Sequence, residues 1–149
     1  VLISVNYRLL PDTPVDQQER DVQAALMAAQ QRATTWGADP SRFILMGHSA
    51  GAHLVALLNA RAPQALREGA WPWLGTVSLD SAALNVPVVM TAPHYPFYDE
   101  VMGANPLFWA AVSPPWLQAA RRASDAAPAR TRFFMEQSPY GLPKPITRP

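Results

Sequence analysis

Cysteine is absent from this chain, which excludes disulfides, thiolate metal sites and a cysteine nucleophile and leaves the compartment open, with the cytoplasm as default. Charge is scarce as well: charged residues make up 15% of the chain and the formal net charge is +1. So nearly neutral a chain, with no basic stripe interleaved with aromatics, has no field to gather phosphate backbones, and nucleic acid is excluded as a partner. No stretch reaches the roughly 18 apolar residues of a membrane span. No His/Asp/Glu cluster has metal-ligand spacing and no dinucleotide fingerprint occurs, so neither metal nor cofactor is expected. What the chain does have is 49% hydrophobic residues over a length of 149, enough for the core of one domain. Composition carries no signal of oligomeric state. Because Val1 leads straight into an apolar run, the chain reads as a fragment that starts late.

Val1 to Tyr7 is apolar and β-branched, a pattern that predicts a strand buried on both faces of a parallel sheet. Arg8 to Pro14 reads as a loop, with Thr13 capping a helix, Pro14 in its first position and Asp16 favouring its positive end. Val22, Leu26, Ala29, Ala33 and Trp36 recur at helical spacing and predict one buried face, leaving Gln17, Arg20, Gln31 and Arg32 to solvent. Gly37 and Asp39-Pro40 end that helix. Phe43 to Met46 predicts a second strand and Leu54, Leu57, Leu58 and Ala62 a second helix. A third strand is expected over Leu74 to Leu79, and a short helix around Pro106 to Val112. Val86 to Gly103, rich in proline and aromatics, reads as irregular structure. Strand alternating with helix gives an α/β class with a mostly parallel sheet, incomplete at both ends.

The composition changes at Ser113. From there to the end lie seven of the 16 prolines, and six Lys/Arg stand against two Asp/Glu. Only Arg132 to Met135 hints at a strand. The reading is a partial domain over residues 1–115 and a poorly specified tail over 116–149, which is either a genuine divergent tail or translated from a changed frame. A sheet with so few strands predicts marginal stability.

Gly47-His48-Ser49-Ala50-Gly51 sits between the second strand and the second helix. A serine hydroxyl is a weak nucleophile, so an enzyme must expose it, place a base beside it and aim donors at the oxyanion that forms. Gly-x-Ser-x-Gly meets the first need, because a sharp strand-to-helix turn demands glycine on both sides of the serine. The following helix turns its free amides toward the site, and the amide of Ala50 is the candidate oxyanion donor. A phosphate cradle is the rival reading of such a loop, but the Gly-Lys-Ser/Thr ending is missing.

Val5-Asn6-Tyr7-Arg8-Leu9, Asp21-Val22 with Ala24-Ala25-Leu26, Trp36-Gly37-Ala38-Asp39-Pro40-Ser41-Arg42-Phe43 and Gly47-His48-Ser49-Ala50-Gly51-Ala52-His53-Leu54 together resemble bacterial esterases of the α/β-hydrolase family. Their order is similar to that of the carboxylesterase and arylformamidase-like branch. The resemblance implies Ser49 as nucleophile, Ala50 as oxyanion donor, and hydrolysis of a small-molecule carboxylic ester, or a related amide, through an acyl-enzyme. It also implies an upstream His-Gly-Gly type loop, and an acid and a histidine on later strands, none of which this sequence shows. The activity is therefore expected to be impaired, and a non-catalytic remnant is the alternative.

Five further residues and a set of aromatics are candidates. His48 is expected to pack beneath the site and His53, one helical turn after Ser49, against a strand. His94 follows Ser49 in chain order and lies in a loop able to overhang the site, as a base or a substrate contact. Asp80, at the end of the third strand, either orients a histidine or caps a loop. Asp125 lies in the tail without a strand before it. The aromatics Trp71, Trp73, Tyr95, Phe97, Tyr98, Phe108 and Trp109 either line an apolar acyl pocket or serve as core and cover.

Overall fold

A computed structural model describes residues 1–81 and 83–114, together with the backbone of residues 132–136. Helix α1 spans Val15–Arg32 and its N-cap is Pro14, not Thr13, with no side-chain cap. Thr13 is occupied otherwise: it is buried and its carbonyl accepts from Gln18 Nε2 at 2.8 Å. The apolar stripe does face inward, with Val15, Val22, Leu26 and Ala29 buried. Trp36 departs from the expected face. The chain leaves the α-helix at Arg32 for a 3-10 turn over Ala33–Trp36, and that tighter winding leaves Trp36 exposed. Gly37 closes the turn in the left-handed conformation, φ 69°, where a Cβ would be costly.

Strand β1 (Ile44–His48) pairs in parallel with β2 (Gly75–Leu79), and β2 pairs in parallel with β3 (Arg132–Glu136). The sheet order is β1-β2-β3. The expected α/β class with a parallel sheet is therefore what forms. Register places Leu45 beside Thr76 and Gly47 beside Ser78, so these four share one face, and helix α2 (Ala50–Ala60) lies on it. Thr76 and Ser78 are polar yet buried, and both are satisfied by α2: Thr76 Oγ1 donates to Asn59 Oδ1 at 3.0 Å and Ser78 Oγ to the Ala52 carbonyl at 3.2 Å. Helix α2 is buried from Ala52 through Leu58, as an element must be when it is packed between a sheet and a second helix; that second helix is α1.

Val1–Tyr7 forms no strand, contrary to the sequence pattern. A β-ladder needs a neighbouring row of backbone donors and acceptors, and this segment has none paired with it among the described residues. Val1 and Leu2 stay in solvent, Leu2 at 96% exposure. The segment is anchored at its end, where Tyr7 packs against the core and the following Arg8 donates from Nε and Nη2 to the two Asp21 carboxylate oxygens at 2.9 and 2.7 Å.

Residues 86–103 are also more regular than their composition suggests. After α3 (Ala62–Arg67) and β2, the chain forms α4 (Val86–Thr91), α5 (Phe97–Met102) and α6 (Pro106–Ala111). Asn85 and Asn105 cap α4 and α6 by accepting from Val88 N and Leu107 N, each followed by a proline in the first turn, the pattern that opens a helix. This group is tied to α2 from below, since His53 Nε2 lies 2.6 Å from the Val112 carbonyl and Arg61 Nη2 donates to the Ala111 carbonyl at 2.6 Å. Ser113 Oγ adds a link, accepting from Val86 N at 3.0 Å.

Candidate active site

Ser49 is the single residue between β1 and α2, with φ 54° and ψ −117°, a backbone region that side-chain-bearing residues rarely enter. The conformation is held from both sides. Ser49 N donates to the Leu79 carbonyl at 3.0 Å, continuing the β1–β2 ladder, while its carbonyl accepts from His53 N at 3.2 Å and starts the helix. The turn is so sharp that a Cβ on Gly47 would collide with the Gly51 carbonyl and lie 2.7 Å from Ala52 N. Gly47 is thus required by space. Gly51 is not: a Cβ there would meet nothing within 4 Å, so the expectation of a steric need on both sides of the serine holds on one side alone. Gly51 lies past the bend, in the first turn of α2, where ordinary helical backbone suffices.

The amides of Ala50 and Gly51 fall in the first turn of α2, where no intrahelical acceptor is available. Ser49 and Ala50 border a cleft of about 100 Å³ whose other walls are Val15 and Gln18 of α1, His53 and Leu54 of α2, Ser81 and Ala83 after β2, and Phe97, Tyr98, Val101 and Met102 of α5. Two of the seven aromatics named from sequence, Phe97 and Tyr98, do line it. Gln18, Ser81, Val101 and Met102 were not foreseen. Gln18 was the readable one, since it precedes Val22 and Leu26 at four-residue spacing, a polar residue on an otherwise apolar stripe.

The chain has three histidines, and the structure separates their roles. His48 is exposed at the end of β1, on the sheet face opposite α2, instead of packing beneath the serine. His53 is buried at 4% exposure and borders the cleft, but its Nε2 is engaged by the Val112 carbonyl and not by a strand. Burial pushes its pKa below the ordinary value, against the opposing pull of that carbonyl, so the ring is neutral. His94 does not border the cleft. Its Nδ1 lies 2.7 Å from the Ala92 carbonyl and its Nε2 3.2 Å from Asp99 Oδ1. Both nitrogens are occupied, and the Ala92 carbonyl first, then Asp99, raise its pKa. Among the described residues no side chain hydrogen-bonds the Ser49 hydroxyl. Asp80 follows β2 at φ 52° and is exposed; no histidine is hydrogen-bonded to it among the described residues. Asp125 lies outside the described residues.

Among the described residues no group of three or more His, Cys, Asp or Glu is placed to hold a metal, and no helix is long and apolar enough to cross a membrane.

Comparison with known proteins agrees with this geometry. A family described as alpha/beta hydrolase fold matches residues 1–139. Lipase 2 of Moraxella sp. is 39% identical over 57 residues, 38% of this chain and 13% of that protein. Carboxylesterase NlhH of Mycobacterium tuberculosis is 38% identical over 58 residues, 39% of this chain and 18% of that one. Among solved structures, an inhibited esterase B from Lactobacillus rhamnosis superposes with a TM-score of 0.58 at 20% identity, covering 87% of this chain and 53% of that one. A bacterial heroin esterase gives 0.50 at 23% identity, covering 87% and 43%. The matched segments thus span less than a fifth of the curated relatives and about half of the solved structures.

Proposed function

Because the chain belongs to the alpha/beta hydrolase fold family, we propose that it carries the nucleophile elbow of an esterase-type serine hydrolase, with Ser49 as nucleophile. The backbone of Ser49 carries this reading: φ 54° and ψ −117° at a strand-to-helix junction is a strained arrangement that presents a side chain at the mouth of a cleft. In the reaction the Ser49 hydroxyl oxygen attacks the carbonyl carbon of an ester, and the oxyanion that forms is met by the Ala50 amide and the positive end of α2. Collapse of that intermediate expels the alcohol, which takes up a proton, and leaves the acyl group on Ser49; water then attacks the acyl-enzyme and releases the acid. The cleft, walled by Leu54, Val101 and Met102, has room for an acyl group of a few carbons. Ester hydrolysis is preferred to amide hydrolysis on the names of the relatives.

The same geometry supports impaired turnover. None of the three histidines is placed to take the Ser49 proton, and general-base assistance supplies orders of magnitude in rate. With p-nitrophenyl acetate the purified chain is expected to turn over near the background rate. A fluorophosphonate probe is expected to modify Ser49 slowly, and the modification to vanish in Ser49→Ala. Ordinary enzyme rates abolished by Ser49→Ala would overturn the impairment. Complete absence of labelling after prolonged exposure of folded protein would overturn the hydrolase reading and leave a non-catalytic remnant.

A further inference from the structure

Two side chains in the wall of the Ser49 cleft carry acceptors that the acyl transfer does not use. Gln18 and His53 both border the cleft and are almost wholly buried, at 7% and 4% exposure. On the reading of Ser49 as the nucleophile of an ester hydrolase, on which this rests, we propose that Gln18 and His53 form a subsite for a neutral hydroxyl on the acyl part of the substrate, so that the preferred ester is a short hydroxyacyl ester.

Each side chain is fixed at one end by a main-chain carbonyl, and a carbonyl oxygen can only accept. Gln18 Nε2 donates to the Thr13 carbonyl at 2.8 Å, which turns Oε1 the other way; the flipped amide would set two carbonyl oxygens against each other. His53 Nε2 lies 2.6 Å from the Val112 carbonyl and must hold a proton there. Burial keeps the ring neutral, so Nδ1 carries a lone pair. Among the described residues neither Gln18 Oε1 nor His53 Nδ1 has a partner, and neither is sealed away without one as Asp16 Oδ1 and Glu19 Oε1 are. Both are open to the space that their side chains border. His53 lies one helical turn, roughly 5 Å, beyond Ser49, within reach of a hydroxyl on the second or third carbon of an acyl chain whose carbonyl carbon sits at Ser49 Oγ.

The wall selects the group. Among the described residues no carboxylate lines the cleft, so an ammonium would lose its hydration without gaining a counter-ion. An apolar acyl chain would displace water from both acceptors and leave them unpaired, the penalty by which a hydrogen-bonding site rejects an analogue that lacks the donor. A hydroxyl donates to one of the two acceptors and accepts from the hydroxyl of Ser81 or Tyr98, which also border the cleft and rotate to suit.

The experiment is an NMR titration of the full chain with methyl β-hydroxybutyrate, with methyl isovalerate, in which a methyl of like size replaces the hydroxyl, and with the methyl ester of β-ammoniobutyrate, which adds a charge. Binding is read from the amides of residues 49–54. The hydroxy ester is expected to bind at least tenfold more tightly than either of the others. Gln18→Met and His53→Phe, each similar in shape without the acceptor, are expected to narrow that gap, and Ser49→Ala to leave it intact. Should both of the first two variants lose their circular dichroism signature, the three esters on the parent chain decide alone. Equal binding of isovalerate or of the ammonium ester overturns the subsite, and so does a preference undiminished in every folded variant. Fluorophosphonate labelling of Ser49 reads the nucleophile separately: a lost preference with labelling intact defeats the subsite alone, and a preference that persists without labelling defeats the nucleophile alone.

Discussion

Ile3 and Val5 near the N-terminus, and Ile44 and Met46 in β1, are similar apolar residues with opposite fates. The first pair sits in a segment without a ladder, the second in a strand bonded to β2 along its whole length. Side-chain exposure does not separate them, for Ile44 is 60% and Met46 65% exposed, more than Ile3 at 37% or Val5 at 40%. What separates them is a partner. A strand is a property of two segments, whereas the elbow and α2 close most of their hydrogen bonds within a dozen residues of Ser49.

The largest effect that tests this contrast is expected inside the elbow. Gly47→Ala forces a Cβ into the Gly51 carbonyl, a collision with backbone that no rotamer relieves, and should cost about 3 kcal/mol or more. Gly51→Ala should be neutral or stabilising by about 0.5 kcal/mol, since helix interiors favour alanine. Urea midpoints of the two variants read the difference; equal losses would mean that the turn is held by its general shape and not by one close approach.

Next in size is the contrast between two leucines. Leu57 is fully buried while Leu2 is almost fully exposed. Leu57→Ala is expected to cost about 2–5 kcal/mol, and Leu2→Ala to fall within about 0.5 kcal/mol of the parent. A large loss in Leu2→Ala, measured by thermal or urea unfolding, would show that Val1–Tyr7 packs in solution after all.

The smallest effect is a pH dependence. Burial lowers the His53 pKa below its ordinary value of 6.5, so above about pH 6.5 both folded and unfolded states hold a neutral ring and it contributes no pH dependence. Below that, the unfolded chain takes the proton first and stability declines. His94 acts in the opposite sense: its raised pKa adds stability below pH 6.5 that is lost as pH rises through the folded value. Subtracting a His53→Gln variant isolates the first. Between pH 7 and 5 the parent should lose stability relative to that variant, and parallel urea midpoints would mean that the ring is not held neutral in the fold.

The same contrast explains what the sequence made legible. The elbow, α1 and α2 follow from local rules: a positive-φ turn beside an obligatory glycine, a stripe at helical spacing, an unbroken apolar run. Val1–Tyr7 satisfied the local rule for a strand and failed the non-local one. Helix α4 was missed because residues 86–103, rich in proline and aromatics, read as irregular, although Asn85 with Pro87 opens it in the same way that Asn105 with Pro106 opens α6. Of the cleft, Ser49 and Ala50 were readable from the motif, but α5 contributes Val101 and Met102 by tertiary placement, which no spacing encodes. His94 looked correct in chain order, yet it is consumed locally by Ala92 and Asp99.

The strained backbone of Ser49 has a consequence for the history such a chain can have. Non-glycine residues at such angles cost about 1–3 kcal/mol, so Ser49→Gly should stabilise the fold by about 1 kcal/mol once the extra freedom of glycine in the unfolded chain is deducted. Losing the hydroxyl and gaining robustness then lie in the same mutational direction. A lineage drifting without use for the hydroxyl would slide downhill toward glycine, and a serine persists there at a standing thermodynamic disadvantage. Comparing urea midpoints of Ser49→Gly and Ser49→Ala, which shares the strain, would measure the height of that slope.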